Sequence, residues 1–199
     1  LFRTATRSSE PGGGAVAAIA GASAAALVSM VGELTIGKKR YQSVKAEVER
    51  LREKAVFAMQ ALQKAAVEDG EAFRAYQRAS ALSSDDAAAI KRRSQEQALA
   101  AERMTRIPLT IACHCADVLS LACALAPIGD MRSISDAGVA IQLAHAALQS
   151  ALLTVEINLP VLQDAEFANH VRTQRSLLAD SAADSLDVGM KVVSERISR

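Results

Sequence analysis

The first long pattern in the chain is a run of 22 residues without a charged side chain, from Pro11 to Gly32. Most of the run is Ala, Gly or Ser, and small residues recur at a spacing of four from Ala17 to Ser29. A helix that is apolar on all sides is buried by its neighbours, and small side chains let those neighbours come close. The run is long enough for a membrane span, but it is poor in the large aliphatic side chains that drive insertion. It therefore predicts a buried first helix of a helical bundle.

A second pattern follows Gly37, where apolar residues recur every three or four positions as far as Tyr76. This spacing predicts a long amphipathic helix over about 38–82. Asp69 stands at a position of the stripe where an apolar residue is expected. A buried carboxylate needs a partner or a cavity, because its desolvation is costly. Two interpretations stay open: Asp69 lines a cavity, or the stripe frays beside Gly70.

Caps and helix breakers divide the next part of the chain. Ser84, followed by two aspartates, predicts the start of a helix that runs to about Arg106. Pro108 is expected to break or kink that helix, after which an apolar face continues to Leu125.

Two further helices are predicted near 136–158 and 164–198. Ser135 and Asp136 begin the first, Pro160 ends it, and Asp164 is placed to cap the second. No segment shows sustained strand alternation. The sequence therefore predicts one all-α domain over residues 1–199, a multihelical bundle of about six helices. Its longest helices exceed what one small domain readily covers, which favours a homodimer.

Composition and charge limit the classes of function that the chain can have. The chain has 23 Lys and Arg against 22 Asp and Glu, a formal net charge of +1, which removes the basic surface typical of a nucleic-acid binder. Its three cysteines are an odd number, and Cys113 and Cys115 stand too close for an ordinary disulfide. Reduced thiols in a cytoplasmic protein are the expectation. No secretory leader pattern is evident at the start, although the first residue is Leu.

Local motifs give weak chemical signals. The CHC triplet, Cys113 to Cys115, cannot close on one ion from a helix, because consecutive residues point about 100° apart. No metal site is therefore predicted, and His114 is interpreted as a core residue. The PGGG segment at Pro11 would open a helix whose amides face an electron-rich ligand, or would be only a flexible turn. The usual interpretation of a basic cluster such as GKKRY, which starts at Gly37, is a solvent-exposed face.

Together these stretches resemble a known family. PGGGAVAAIAGASAAALVSMVGELTIGKKRY, DGEAF around Asp69, Pro108, ISDAGVAI and INL occur in this order over residues 9 to about 165. The order resembles the methenyltetrahydrofolate cyclohydrolase and formiminotetrahydrofolate cyclodeaminase family. The resemblance implies an all-helical, homodimeric folate enzyme that uses no metal and binds a tetrahydropteridine near PGGG and GKK. The chain departs from the family pattern at Ala15, Asp130 and Thr154, where the family has a serine and two asparagines.

The resemblance implies a reaction and a set of residues. The expected activity is hydrolysis of 5,10-methenyltetrahydrofolate to 10-formyltetrahydrofolate. The alternatives are a formiminotetrahydrofolate cyclodeaminase that releases ammonia and a non-catalytic folate-binding or interaction protein of the same fold. The residues expected to be catalytic are Lys39, Asp69 and Asp136. Those expected to bind substrate are Pro11, Gly12, Gly13, Gly14, Lys38, Tyr41, Asp130 and Ser135, and Lys38 and Arg40 are placed near its glutamate carboxylates. The ligand is a tetrahydrofolate derivative, and no nucleic-acid or membrane partner is expected.

Overall fold

The computed structural model describes residues 4–5 and 11–198. Within this part of the chain the secondary structure is entirely helical, which confirms the predicted class. The α-helices are α1 (Gly13–Ile36), α2 (Lys45–Ser80), α3 (Ala87–Leu125), α4 (Ile134–Asn158) and α5 (Ala165–Ile197). Short 3₁₀ turns at Lys39–Val44, Met131–Ser133 and Leu159–Val161 join α1 to α2, α3 to α4 and α4 to α5. Five α-helices thus replace the six that the sequence predicts.

The predicted count is wrong because Pro108 does not end a helix. It lies buried inside α3, which continues for 39 residues. Proline lacks the N–H that would donate to the carbonyl four residues earlier, which here is Met104 O. Asn158 of α4 donates its Nδ2–H to that carbonyl at 2.9 Å. An amide distant in sequence therefore supplies a hydrogen bond that the proline removes from the helix.

The first helix lies at the centre of the bundle, as its uncharged sequence predicts. It packs against α2, α3 and α4. Its small side chains permit close approach: a Cβ added at Gly21 would meet Cys115 Sγ at 2.5 Å and Leu62 Cδ1 at 3.2 Å. The helix interface therefore depends on glycine at this position.

The helix boundaries differ in detail from the prediction. α2 begins at Lys45 because residues 39–44 form a 3₁₀ turn. Asp86 caps α3 in place of Ser84, since its Oδ1 accepts the Ala89 N–H at 2.7 Å. Asp164 caps α5 as predicted, accepting the N–H groups of Glu166 and Phe167.

The helices give the bundle two ends that matter for function. We call the end where α1 starts and α4 finishes the glycine end, and the opposite end, where α1 finishes and α4 starts, the basic end. α1 has 24 residues, so the two ends are separated by about 36 Å at a rise of 1.5 Å per residue. Both of the sequence segments with candidate chemistry lie at these ends, PGGG at one and GKKRY at the other.

Three segments are long and apolar enough to cross a membrane on length and composition alone. They are α1, α3 and the stretch Met131–Val161. In the bundle, 56% of the most apolar window of α1 is buried, compared with 39% for α3 and 50% for Met131–Val161. Burial against other helices accounts for much of the apolar character of α1.

Candidate active site

A cavity of about 190 Å³ lies at the glycine end, where four helices converge. Its lining residues are Gly12, Gly13, Gly14, Asp69, Gly70, Phe73, Met104, Thr154, Ile157 and Asn158. The site therefore contains the predicted glycines and Asp69, together with two polar residues of α4.

Asp69 belongs to this cavity, and α2 does not fray beside it. The helix continues through Gly70 to Ser80. The Asp69 carboxyl lies so close to α1 that a Cβ at Gly14 would come within 2.7 Å of its Cγ and Oδ2. Gly14 is buried, so the side chain of any other residue would have to displace the carboxyl group. The glycine at this position thus allows Asp69 to stand against the first turn of α1.

The start of α1 supplies hydrogen-bond donors to the same cavity. Gly12 is the N-cap and makes no side-chain cap hydrogen bond. The first bond of the helix runs from Val16 N–H to Gly12 O at 3.1 Å. The amides of the three residues before Val16 have no acceptor within the helix, and the helix dipole makes this end electropositive. Electron-rich ligand atoms are favoured there.

Two polar residues of α4 complete the cavity wall. Thr154 Oγ1 donates to Ser150 O at 3.3 Å and would lie 3.9 Å from a Cβ at Gly13. Asn158 is 7% exposed. Asn158 belongs to the INL triplet of the family resemblance, but no role was predicted for it from the sequence. One feature of the sequence could have identified Asn158: Thr154 and Asn158 are four residues apart and therefore share one face of a largely apolar helix.

The basic end is built around a buried carboxylate. Asp130, which is 1% exposed, forms ion pairs with Lys38 and Arg40. Burial acts to raise the pKa of Asp130, but the hydrogen bonds from Lys38 and Arg40 outweigh it and hold the pKa below its ordinary value. Lys38, which was predicted to bind substrate, also forms an ion pair within its own chain.

Further hydrogen bonds fix the loop around Asp130. The Asp130 N–H donates to Thr35 Oγ1 at 2.8 Å, and the Met131 N–H donates to Tyr41 Oη at 2.9 Å. Arg196 near the end of α5 donates to Ala126 O and Gly129 O. Tyr41 and Asp130 thus join the GKKRY segment to the loop between α3 and α4.

The remaining predicted residues fall into the same two groups. Lys39 and Ser135 are exposed and Asp136 is half-buried, all in segments at the basic end, whereas Pro11 is half-buried beside the glycines. Asp69 and Lys39 therefore lie at opposite ends of α1, about 36 Å apart. One pteridine ring cannot touch both groups within a single chain.

Comparison with known proteins identifies the family. The sequence model described as Formiminotransferase-cyclodeaminase matches residues 1–176 of the chain. The chain belongs to this family. A methenyltetrahydrofolate cyclohydrolase of Methylorubrum extorquens is 40% identical over 176 residues, which cover 87% of this chain and 84% of that protein. A formimidoyltransferase-cyclodeaminase of Sus scrofa is 32% identical over 177 residues, 89% of this chain but 33% of that protein.

A solved structure shares the fold of this chain. The formiminotetrahydrofolate cyclodeaminase of Thermotoga maritima superposes with a TM-score of 0.88 at 28% identity, covering 98% of this chain and 93% of that one. The resemblance drawn from the sequence motifs is therefore confirmed, and it extends over the whole fold.

The three departures from the family pattern lie in different surroundings. Ala15 is buried in the first turn of α1, Asp130 forms the ion pairs of the basic end, and Thr154 lines the cavity. Thr154 thus retains a hydroxyl at the cavity wall, where the family pattern has an amide.

The cysteines do not assemble a metal site in the described part of the chain. No three potential His, Cys, Asp or Glu ligands converge there, and Cys113, Cys115 and Cys123 are free thiols. Burial, together with the nearby Cys113, raises the pKa of the Cys115 thiol to about 12. Cys115 is therefore an unreactive core residue that packs against Gly21.

Proposed function

We propose that the protein hydrolyses 5,10-methenyltetrahydrofolate to 10-formyltetrahydrofolate. The observation that carries this proposal is the 40% identity to a methenyltetrahydrofolate cyclohydrolase along 84% of that protein's length. The animal formimidoyltransferase-cyclodeaminases are matched over about a third of theirs. The match to the cyclohydrolase thus covers most of both chains, which favours hydrolysis as the reaction.

The glycine-end cavity has the chemistry that this hydrolysis needs. Water must add to the carbon that bridges N5 and N10, and the bond from that carbon to N5 must then break. A base takes a proton from the water and an acid protonates the departing nitrogen. Asp69 is the base in this proposal, and its charge also suits the cationic methenyl group. The electrophile already carries positive charge, so the proposed step does not need a metal to activate the carbon.

The roles predicted for Lys39 and Asp136 require a second copy of the chain. Both lie at the basic end, about 36 Å from Asp69 in the same protomer. We therefore propose a homodimer in which the basic end of one copy lies over the glycine end of the other. Lys39 of one copy would then act on substrate held beside Asp69 of its partner.

An exposed apolar surface along α1 and α4 supports this dimer. We call it the α1/α4 face. Its exposed apolar residues are Val16, Ile19, Ala26, Met30, Leu34, Val139, Ala146, Leu153 and Ile157. Between these residues, the exposed Ser23, Gln142 and Ser150 are uncharged, whereas the exposed Glu33 and Glu156 pair with Arg52 of α2 and Arg175 of α5. A largely apolar face of this size on two neighbouring helices is typical of a protein interface.

The dimensions and direction of this face suit a second copy. It is about 36 Å long and about 20 Å wide, or roughly 700 Å² per protomer, close to the 800 Å² that each partner of a standard interface buries. A two-fold axis that lies in this face and is perpendicular to α1 and α4 would place the basic end of each copy over the glycine end of the other.

The groove between α1 and α4 also joins this face to the cavity. The groove has about 420 Å³ and shares Gly13, Thr154 and Ile157 with the cavity lining. The cavity alone is smaller than most small-molecule sites, which measure about 300 to 1,000 Å³. A partner that covers the groove would enlarge and close the site.

Mixing two inactive variants tests the function and the dimer together. We expect Asp69→Asn and Lys39→Met each to lose turnover of methenyltetrahydrofolate, which is followed by its absorbance. Random re-pairing of the two variants makes half of the dimers mixed, and each mixed dimer has one intact site. About a quarter of the wild-type activity should therefore return. Normal turnover in both single variants would refute the assigned roles, and a mixture that stays inactive would refute the shared site.

A cyclodeaminase activity is the second candidate. It is favoured by the TM-score of 0.88 to a protein named formiminotetrahydrofolate cyclodeaminase. Ammonia release from formiminotetrahydrofolate distinguishes this activity from hydrolysis. A cytoplasmic location remains part of the proposal, since all three cysteines are free thiols.

A further inference from the structure

Pro108 leaves a carbonyl of α3 without its helical donor directly beside the cavity. In a regular helix the N–H of residue 108 would donate to Met104 O, but proline has no N–H. Met104 lines the cavity. The carbonyl accepts instead from Asn158 Nδ2 at 2.9 Å, across the contact between α3 and α4.

This hydrogen bond determines the orientation of the Asn158 amide. Only the nitrogen of the amide can donate, so Nδ2 must face Met104 O and Oδ1 must point away from it. Asn158 is 93% buried and lines the cavity, and its Oδ1 makes no hydrogen bond within the described part of the chain. In the described part of the chain, the fully buried side-chain polar atoms without a partner are Arg52 Nε and Arg175 Nε, so Asn158 Oδ1 is accessible from the cavity, where a ligand N–H can reach it.

The cavity therefore offers an acceptor and donors on neighbouring walls. Asn158 Oδ1 is the acceptor on α4, and the amides in the first turn of α1 are the donors. A ring edge that carries a carbonyl next to an N–H matches this arrangement, because the carbonyl can face the α1 amides and the N–H can face Oδ1. The pteridine ring of a folate has such an edge.

We infer that Asn158 is a positioning residue for the substrate, held in place by the carbonyl that Pro108 leaves open. Asn158 Oδ1 accepts a hydrogen bond from an N–H of the pteridine, while Nδ2 stays fixed on Met104 O. The inference rests on the proposed function, since it takes a tetrahydrofolate derivative as the ligand. It assigns roles to Asn158 and Pro108 in binding and none in the chemical step.

Direct binding of tetrahydrofolate to the wild-type chain and to Asn158→Leu tests the inference. The loss of one hydrogen bond should raise the Kd about tenfold. In methenyltetrahydrofolate turnover the same variant should raise KM by a similar factor while kcat changes less than about threefold, because the lost contact orients the ring and does not react. Asn169→Leu is the matched control, since Asn169 is exposed on α5 and its Oδ1 accepts from Arg172.

A second variant keeps the test independent of folding defects at position 158. Pro108→Ala restores an N–H that competes for Met104 O, so it loosens the Asn158 amide without removing it. We expect about a threefold rise in Kd and no loss of thermal stability, because the helix regains a donor. A purely structural role for Asn158 would lower Tm in Asn158→Leu and leave both Kd and KM unchanged.

The outcomes separate this inference from the proposed function. Wild-type protein that turns over methenyltetrahydrofolate, with the Kd of both variants unchanged, would overturn the role of Asn158 and leave the function standing. Wild-type protein that binds tetrahydrofolate without turnover would overturn the proposed function, and the variant Kd values would still decide the role of Asn158. Protein that binds no tetrahydrofolate would overturn both. A raised Kd in Asn158→Leu alone would overturn the part given to Pro108.

Discussion

Replacing Gly14 by alanine should disable the enzyme through a single added methyl group. The new Cβ would lie 2.7 Å from Asp69 Cγ, whereas ordinary contacts of a Cβ begin near 3.4 Å. The Asp69 carboxyl must therefore retreat by at least the 0.7 Å difference. A misplacement of about 1 Å at a reacting group costs on the order of 100-fold in rate. We expect kcat for methenyltetrahydrofolate to fall by about that factor.

Gly37→Ala is the matched control for this substitution. A Cβ at Gly37 would meet no atom within 4 Å, and its φ of −77° suits alanine. Thermal melts of both variants separate catalytic loss from unfolding, since overpacking a buried position costs about 1 to 3 kcal/mol. If Gly14→Ala keeps kcat within about twofold of Gly37→Ala while remaining folded, then the placement of the Asp69 carboxyl does not limit the reaction.

Two other predictions concern stability and thiol reactivity. Asp130→Asn should lower the free energy of unfolding at pH 7 by about 2 kcal/mol, or Tm by about 4 to 8 °C, because Lys38 and Arg40 lose their buried partner. The pKa of Asp130 is lowered in the fold, so its contribution is present above its unfolded pKa and is lost as the pH falls through the folded value. Melts of both proteins should therefore converge below pH about 4, and a gap that is constant down to pH 2 would contradict this. Cys115 should resist iodoacetamide in the folded protein at pH 8, because burial raises the pKa of its thiol to about 12; labelling as fast as in urea-unfolded protein would show that the site opens.

Local sequence patterns predicted the features that depend on neighbouring residues. The uncharged run predicted the buried α1, and the position of Asp164 before the last helix predicted its cap. Asp69 was conspicuous as a carboxylate on an apolar stripe, and the structure places it in a cavity. Such features follow from the period of a helix and from capping chemistry.

Contacts between residues distant in sequence could not be predicted in the same way. Pro108 was expected to interrupt its helix, since no local pattern indicates that Asn158, 50 positions later, would bond to the open carbonyl. Asp130 and Lys38 are 92 residues apart, so no local pattern could predict their ion pair. The residues predicted to form one site were consequently divided between the two ends of α1.

The rates of two reactions measured on the same wild-type preparation test the central claim most directly. One is the loss of absorbance of methenyltetrahydrofolate above its uncatalysed hydrolysis, and the other is the release of ammonia from formiminotetrahydrofolate. We predict a kcat/KM for methenyltetrahydrofolate well above that of the Gly14→Ala variant and above that for ammonia release. Ammonia release at the higher kcat/KM, or methenyltetrahydrofolate loss no faster than in the variant, would contradict the assignment as a cyclohydrolase.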